Sequence, residues 1–307
     1  SMYTCNKPEI WTVTHTPFCT DGSLDTAALY QNAAKLVEMG IAGTFFNSYM
    51  GECYSMNYAE RMAATEAVIA GGGGKLQTAV AIEADNIPTI IELGLHAKRC
   101  GATYAAVVVP ALGPCSPEQM VDYFAYLFQA IDMPFVLFNP QNRLQPETFH
   151  KLCTFPQMRI LKSPGRSAQN QALRRAAQNN VVVTDPTEAD YLANMEDFAQ
   201  PILFADPEPM LYQWPGYTPV NDYVSLYWQG KKEEAQKIYD SLAPKRKVYQ
   251  KWVIENYYRG DMPVAAIKKI CDFCGNLIGG TVRAPLRPLT PDKEAELLAD
   301  LQTANML

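Results

Sequence analysis

The stretch Thr103–Pro110, TYAAVVVP, is an apolar run without polar alternation. A strand wetted on one face alternates apolar and polar side chains, whereas a strand covered on both faces does not. Shortly after it, Ser116-Pro-Glu-Gln119 offers a serine N-cap, proline in the first turn and glutamine three residues beyond the serine, the pattern of a capping box. Val121, Phe124, Leu127 and Phe128 then follow on one helical face. The segment reads as one strand–loop–helix unit.

The unit recurs in both directions. Further β-rich runs stand at Ile10–Phe18, Gly40–Asn47, Lys75–Ile82, Met133–Pro140, Met158–Pro164, Val181–Asp185 and Pro201–Asp206, making eight. Their starts lie about 20 to 35 residues apart, enough for a strand, a helix and two loops. Between them, Leu24–Glu38 repeats Leu29, Ala33, Leu36 and Val37 at helical spacing. This alternation predicts an α/β fold, a (β/α)8 TIM barrel. The rival is an open doubly wound sheet, but no GxGxxG follows the first strand. Gly71–Gly74 reads as a flexible turn into the third strand rather than a phosphate cradle. Past residue 220 or so the runs stop, and Asp222–Tyr239, Pro244–Tyr258, Pro263–Phe273 and Pro291–Leu301 read as helices. Asp261 or Met262 before Pro263, and Gly275 after Phe273, serve as start and stop signals. The expected division is a barrel over 1–221 and a C-terminal helical extension over 222–307, packed on it.

The chain has 307 residues, 48% hydrophobic and 19% charged, with a formal charge of -6. That suits a sizeable core and gives no electrostatic reason to bind nucleic acid or an anionic membrane. The N-terminus, SMYTCNKPEI, lacks an apolar signal core, and no stretch approaches the roughly 20 apolar residues of a membrane span. The expected location is cytoplasmic. The eight cysteines, Cys5, Cys19, Cys53, Cys100, Cys115, Cys153, Cys271 and Cys274, are scattered, which reads as reduced thiols. Cys271-Asp-Phe-Cys274 is a lone CxxC with no second ligand pair nearby, so no metal site is expected.

One residue stands out on the sixth run. Met158–Gly165, MRILKSPG, ends its apolar run in Lys162. The plain reading is an exposed charge at a strand's end. The other reading follows from architecture, because catalytic groups are mounted at the C-terminal ends of barrel strands. Lys162 shares a face with Ile160. An amine desolvated among apolar side chains is disfavoured as the ammonium, and a neutral amine attacks a carbonyl to give an imine, an electron sink for carbon–carbon chemistry.

Taken in order, several segments resemble the pyruvate-dependent class I aldolases related to dihydrodipicolinate synthase and N-acetylneuraminate lyase. Val13-Thr-His-Thr-Pro-Phe18 with Asp21-Gly22 and Leu24-Asp25 is similar to that family's first strand and loop. Gly51-Glu52, Ser55 and Glu60 are similar to the end of its glycine-threonine-threonine-glycine-glutamate loop and the next helix. Pro134–Asn139 with Arg143, Ile160-Leu-Lys162, and Val282-Arg-Ala-Pro-Leu-Arg-Pro-Leu289 complete a likeness over nearly the whole chain. The resemblance implies a barrel with a helical tail, a homo-oligomer (dimer or tetramer), and a small-molecule 2-keto acid bound as an imine on Lys162. No cofactor is implied, since the imine itself supplies the electron sink.

The sequence also departs from that family. The resemblance puts a proton-relaying tyrosine where this chain has Phe138, and two threonines where it has Tyr49 and Met50. A tyrosine lent to a neighbouring subunit after the fourth strand has no match in Val109–Cys115. Loss of a general acid–base group removes roughly 10²–10⁴ in rate. Either the relay is rebuilt, with Tyr49 supplying a phenol and Ser48 or Ser163 a hydroxyl or a water site, or the barrel is catalytically silent and serves binding or regulation. The first is the reading adopted: a lyase or aldolase acting through Lys162 on pyruvate or a related 2-keto acid, and not an authentic dihydrodipicolinate synthase. The backbone at Met50 would still meet the keto-acid carboxylate. Phe138 would fill space, Asn139 could line the pocket or satisfy backbone groups, and Arg143 could meet a second carboxylate or an adjacent subunit's backbone, or form a surface salt bridge. His15 reads as a hydrogen-bonded structural residue and His96 as a surface one. Asp185, Asp206 and Glu208 read as loop caps ahead of substrate ligands. Tyr212, Trp214 and Tyr217 read as core or interface.

Overall fold

Eight short strands form one parallel sheet in the computed structural model, which describes residues 6–110, 116–260 and 262–307. Cys5, Asp261 and positions 111–115, which include Cys115, lie outside the described residues. The strands are β1 (Glu9–Val13), β2 (Gly43–Phe46), β3 (Gln77–Ala81), β4 (Tyr104–Val108), β5 (Phe135–Phe138), β6 (Met158–Lys162), β7 (Val182–Thr184) and β8 (Ile202–Ala205). Each lies within or against an apolar run of the sequence. Seven parallel pairings run β7-β6-β5-β4-β3-β2-β1-β8. The remaining seam is joined by side chains: Thr184 Oγ1 donates to Ile202 O at 2.9 Å and accepts from Phe204 N at 3.2 Å. Gln200 Nε2 bonds Thr184 Oγ1 and Ile202 O across the same seam, at 3.0 and 2.9 Å.

Helices α1 (Thr26–Glu38), α2 (Tyr58–Gly72), α3 (Ile87–Arg99), α4 (Pro117–Ile131), α5 (Pro146–Leu152), α6 (Ala168–Ala176), α7 (Tyr191–Phe198) and α8 (Glu208–Tyr212) follow the strands in turn. The capping box at Ser116–Gln119 starts α4 as its sequence requires. Gly71 and Gly72 are not loop residues but the last turn of α2. A Cβ at Gly71 would stand 2.2 Å from Tyr30 O on α1, so the glycine permits the close approach of the two helices. The turn into β3 begins only at Gly73, which is left-handed.

Side chains alternate between two cores. Trp11, Val13, Phe45, Ala79, Ala81, Ala106, Val136, Ile160 and Phe204 fill the barrel. The opposite faces pack under the helices. Gly43 makes room for Trp11, whose ring would lie 2.5 Å from a Cβ at that position.

Beyond the barrel, α9 (Pro219–Trp228), α10 (Lys232–Ser241), α11 (Ala243–Tyr249), α12 (Glu255–Tyr258), α13 (Val264–Cys274) and α14 (Pro291–Thr303) form the extra C-terminal helices. The expected single helix over Asp222–Tyr239 is two, broken at Gly230, whose φ of +83° continues no right-handed helix. Residues 250–254 join α11 to α12 as a wide turn of helix. Polar ties bind these helices to the barrel. Arg246 meets the buried Glu188 bidentately, at 2.8 and 2.9 Å, and Lys268 Nζ lies 2.5 Å from Glu52 Oε2 with both groups buried. No helix among the described residues is long and apolar enough to cross a membrane.

Candidate active site

The end of β6 is held on both sides, by Asn139 N donating to Lys162 O at 2.7 Å and Ser163 N donating to Thr184 O at 2.9 Å. Because Ile160 faces the barrel core, Lys162 two residues later faces the barrel mouth. It is 3% exposed. Its Nζ stands 4.9 Å from the Phe138 ring centroid, 5.2 Å from Phe45 and 5.8 Å from Phe204. This excludes the plain reading of a solvated strand-end charge. Among the described residues one carboxylate reaches the amine: Asp206 Oδ1, at 3.0 Å, on a side chain 42% exposed. Asp206 is therefore no loop cap. It extends the inward face of β8 two residues beyond Phe204.

The neighbouring carboxylates behave differently. Asp185 does cap loops, accepting from Gly165 N at 2.9 Å and Thr187 N at 3.1 Å. Glu208 is buried and accepts from Glu188 N at 3.1 Å, while its Oε1 has no partner among the described residues. Burial, and secondarily the Asp206 charge, hold its carboxyl well above the ordinary range.

The loop after β2 carries Ser48, Tyr49 and Met50. Thr16 Oγ1 donates to Gly51 O at 2.7 Å, and Ser48 Oγ accepts from Gly51 N at 3.3 Å. Glu52 anchors the loop's far side to Lys268 and to Arg283 N, 2.9 Å away. Met50 packs against the inner barrel cluster. Tyr49 is 55% exposed and stacks on Tyr54 with centroids 6.1 Å apart. Partial burial, then Cys53, Glu83 and Asp85, raise its phenol's pKa against the opposing pull of Arg143. The backbone N–H groups of Tyr49 and Met50 have no hydrogen-bond partner among the described residues.

Asn139 and Ser163 are brought together with each other, not with Lys162. Each follows an inward residue and so turns outward. Asn139 Nδ2 donates to Ser163 Oγ at 3.2 Å, and Asn139 Oδ1 accepts from Leu144 N at 2.8 Å. Arg143 Nη1 donates to Val109 O at 2.9 Å, tying its loop to the end of β4. His15 donates from Nε2 to Ile278 O at 2.8 Å, as a structural histidine would. Burial lowers its pKa to about 4. Tyr212 is buried against Tyr249, and Trp214 lies 4.6 Å from Tyr217.

Two features escape a reading of the sequence. Glu83 lies one residue beyond the third apolar run and two beyond Ala81, hence on the inward parity of β3. Its Oε1 accepts from Val108 N at 2.9 Å, while Oε2 is buried without a partner among the described residues. Burial pushes its carboxyl up to about 7, against the pull of its backbone and Arg61. The second is on the outer helical layer, where Glu66, His96 and Cys100 bring their ligand atoms within 4.8 Å of one another, a set that could hold a metal ion. His96 is accordingly buried against Glu66, 3.0 Å away, and not a surface residue. The six described cysteines are free thiols.

The chain belongs to the pyruvate-dependent class I aldolase superfamily. Within it, the chain belongs to the dihydrodipicolinate synthetase family, whose model it matches over residues 7–304. It is 23% identical over 290 residues to the 4-hydroxy-tetrahydrodipicolinate synthase of Methanothrix thermoacetophila, covering 92% of each chain. It is 27% identical over 139 residues to a probable 2-dehydro-3-deoxy-D-pentonate aldolase of Escherichia coli K12, which is 44% of this chain and 46% of that relative's length. Among solved structures, a prophage protein of Escherichia coli K12 belonging to the dihydrodipicolinic acid synthase family, in complex with pyruvate, aligns with TM-score 0.82. That alignment covers 99% of this chain and 100% of that one at 19% identity, a likeness of fold.

Proposed function

We propose that this chain is a Schiff-base-forming lyase of the class I aldolase type, acting through Lys162 on pyruvate or a related 2-keto acid. The observation that carries the reading is the enclosure of Lys162 Nζ by three phenylalanine rings at the barrel mouth. Nζ attacks the C2 carbonyl carbon, water leaves, and the iminium draws in the electron pair of a bond at the adjacent carbon. Cleavage, condensation and dehydration all run through that step. The N–H groups of Tyr49 and Met50, without a partner among the described residues, support capture of the keto-acid carboxylate by backbone, which no side-chain change at those positions removes.

The proton relay is altered. Phe138 carries no hydroxyl, so an authentic dihydrodipicolinate synthase is not expected; Tyr49 is a phenol-bearing candidate on the loop after β2. A relative named as a 2-dehydro-3-deoxy-D-pentonate aldolase favours carbon–carbon cleavage of a 2-keto acid as the form of the reaction. The working form is a cytoplasmic homo-oligomer, dimer or tetramer. Borohydride added to protein and pyruvate tests the imine. A reduced adduct in the wild type that is lost in Lys162→Ala supports it. No adduct with pyruvate or with several other 2-keto acids leaves a catalytically silent barrel instead, the reading favoured by the absent hydroxyl at Phe138.

A further inference from the structure

We propose that Asp206 is the acid–base group that makes and unmakes the imine at Lys162, a role that rests on the imine reading above. The geometry is direct. Asp206 Oδ1 lies 3.0 Å from Nζ, within hydrogen-bond reach of the atom that reacts. Phe138, Phe45 and Phe204 surround the same nitrogen and can neither accept nor donate a proton. Asp206 is also wet, with its side chain 42% exposed, so it can exchange protons with water while the amine beside it is enclosed. Its backbone is restrained by Thr12 Oγ1 donating to Asp206 O at 3.5 Å and by Asp206 N donating to Pro186 O at 3.4 Å.

A second carboxyl stands behind it. Glu208 is buried, with Oε1 unpartnered among the described residues. Burial, and then the Asp206 charge, raise the pKa of its carboxyl well above the ordinary range. Of the two carboxyl groups, it is the water-exposed Asp206 that faces the amine. Tyr249, buried on α11, has its phenol raised by burial, then by Glu208 and then by Asp206.

The step balances. Asp206 takes one proton from the Lys162 ammonium. The freed nitrogen pair attacks C2, and the carbonyl π pair moves to oxygen. A second nitrogen-bound proton passes to that oxygen, giving the carbinolamine. Asp206 returns its proton to the hydroxyl, which leaves as water while the nitrogen pair closes the C=N bond. Asp206 ends as a carboxylate beside an iminium that carries one proton. Hydrolysis runs the same sequence backwards.

The rate of borohydride-trapped adduct formation with pyruvate tests this in the full chain. The expected result is that Asp206→Asn reaches the same final adduct yield as the wild type, but roughly 10²–10⁴ times more slowly. The shared end-point yield shows that the amine and pocket are intact, which a merely structural loss would not allow. Should Asp206→Asn fail to fold by circular dichroism, Asp206→Ser is read in the same way. Slowing by less than about tenfold overturns the assignment of Asp206 and leaves the imine intact. Absence of any adduct in the wild type overturns the imine reading, and this assignment with it.

Discussion

Phe138 and Lys162 show what a single hydroxyl decides. The phenylalanine ring lies 4.9 Å from the amine and fills its space, but it can relay nothing. If Tyr49 supplies the missing phenol, Tyr49→Phe lowers turnover by roughly 10²–10⁴ while trapping of pyruvate persists. Turnover unchanged by that substitution, measured by steady-state kinetics, removes Tyr49 from the relay. Glu83 makes a prediction about stability. Its carboxyl keeps a proton in the folded chain up to about pH 7, whereas an ordinary glutamate, with a value of 4.5, loses it sooner. The folded state then binds more protons than the unfolded state between those values, so stability falls as pH rises through the window. At about 1.4 kcal/mol per unit, the loss is about 3 kcal/mol. Glu83→Gln should make that slope shallower in urea denaturation at pH 5 and pH 8. An equal slope in both proteins would contradict the burial assigned to this group. Lys162 was legible in the sequence because it ends a short apolar run on the inward parity of Ile160. Asp206 and Glu83 were not, because their significance depends on strand parity carried past the last apolar residue. In Asp206's case it also depends on a partner two strands away across the barrel.

At the scale of elements, the loop after β2 is positioned by the C-terminal helices. Glu52, left-handed at φ +58°, sends its carboxylate to Lys268 on α13. Side-chain exposures of 2% and 0% mean that neither charge has water as an alternative partner. Removing one member of such a pair strands the other, so Lys268→Met should destabilise the protein by about 3–5 kcal/mol. A chemical denaturation midpoint implying less than about 1 kcal/mol would show that the pair does not anchor the loop. The strands could be read because both faces of each are covered, which leaves a mark in consecutive residues. The side-chain seam between β7 and β8 left no such mark, since Thr184 and Gln200 resemble any polar residues beside a strand. Gly71 misled for a related reason. A glycine run signals a turn unless a neighbouring helix, here at Tyr30, needs the space. Asn139 and Ser163 follow inward-facing residues, so strand alternation alone turns them away from the mouth.

For the whole molecule, the order of strand and helix was enough to define the barrel, because each unit repeats the same local pattern and parallel strands must be joined by crossovers. What the units form together is a matter of surface. Tyr49, Tyr54 and Tyr58 stand exposed along the loop after β2 and the start of α2, an aromatic surface of the kind enriched at interfaces. Light scattering should give a mass near two or four times the 34.2 kDa chain; a single species of one chain mass would contradict the homo-oligomer. The proposed chemistry depends on covalent capture at one nitrogen. The decisive measurement is peptide mapping of protein reduced with borohydride in the presence of pyruvate. The account predicts a reduced pyruvyl group on the peptide bearing Lys162 and no modification of Lys268; an unmodified Lys162, or an adduct borne by another lysine instead, would contradict it.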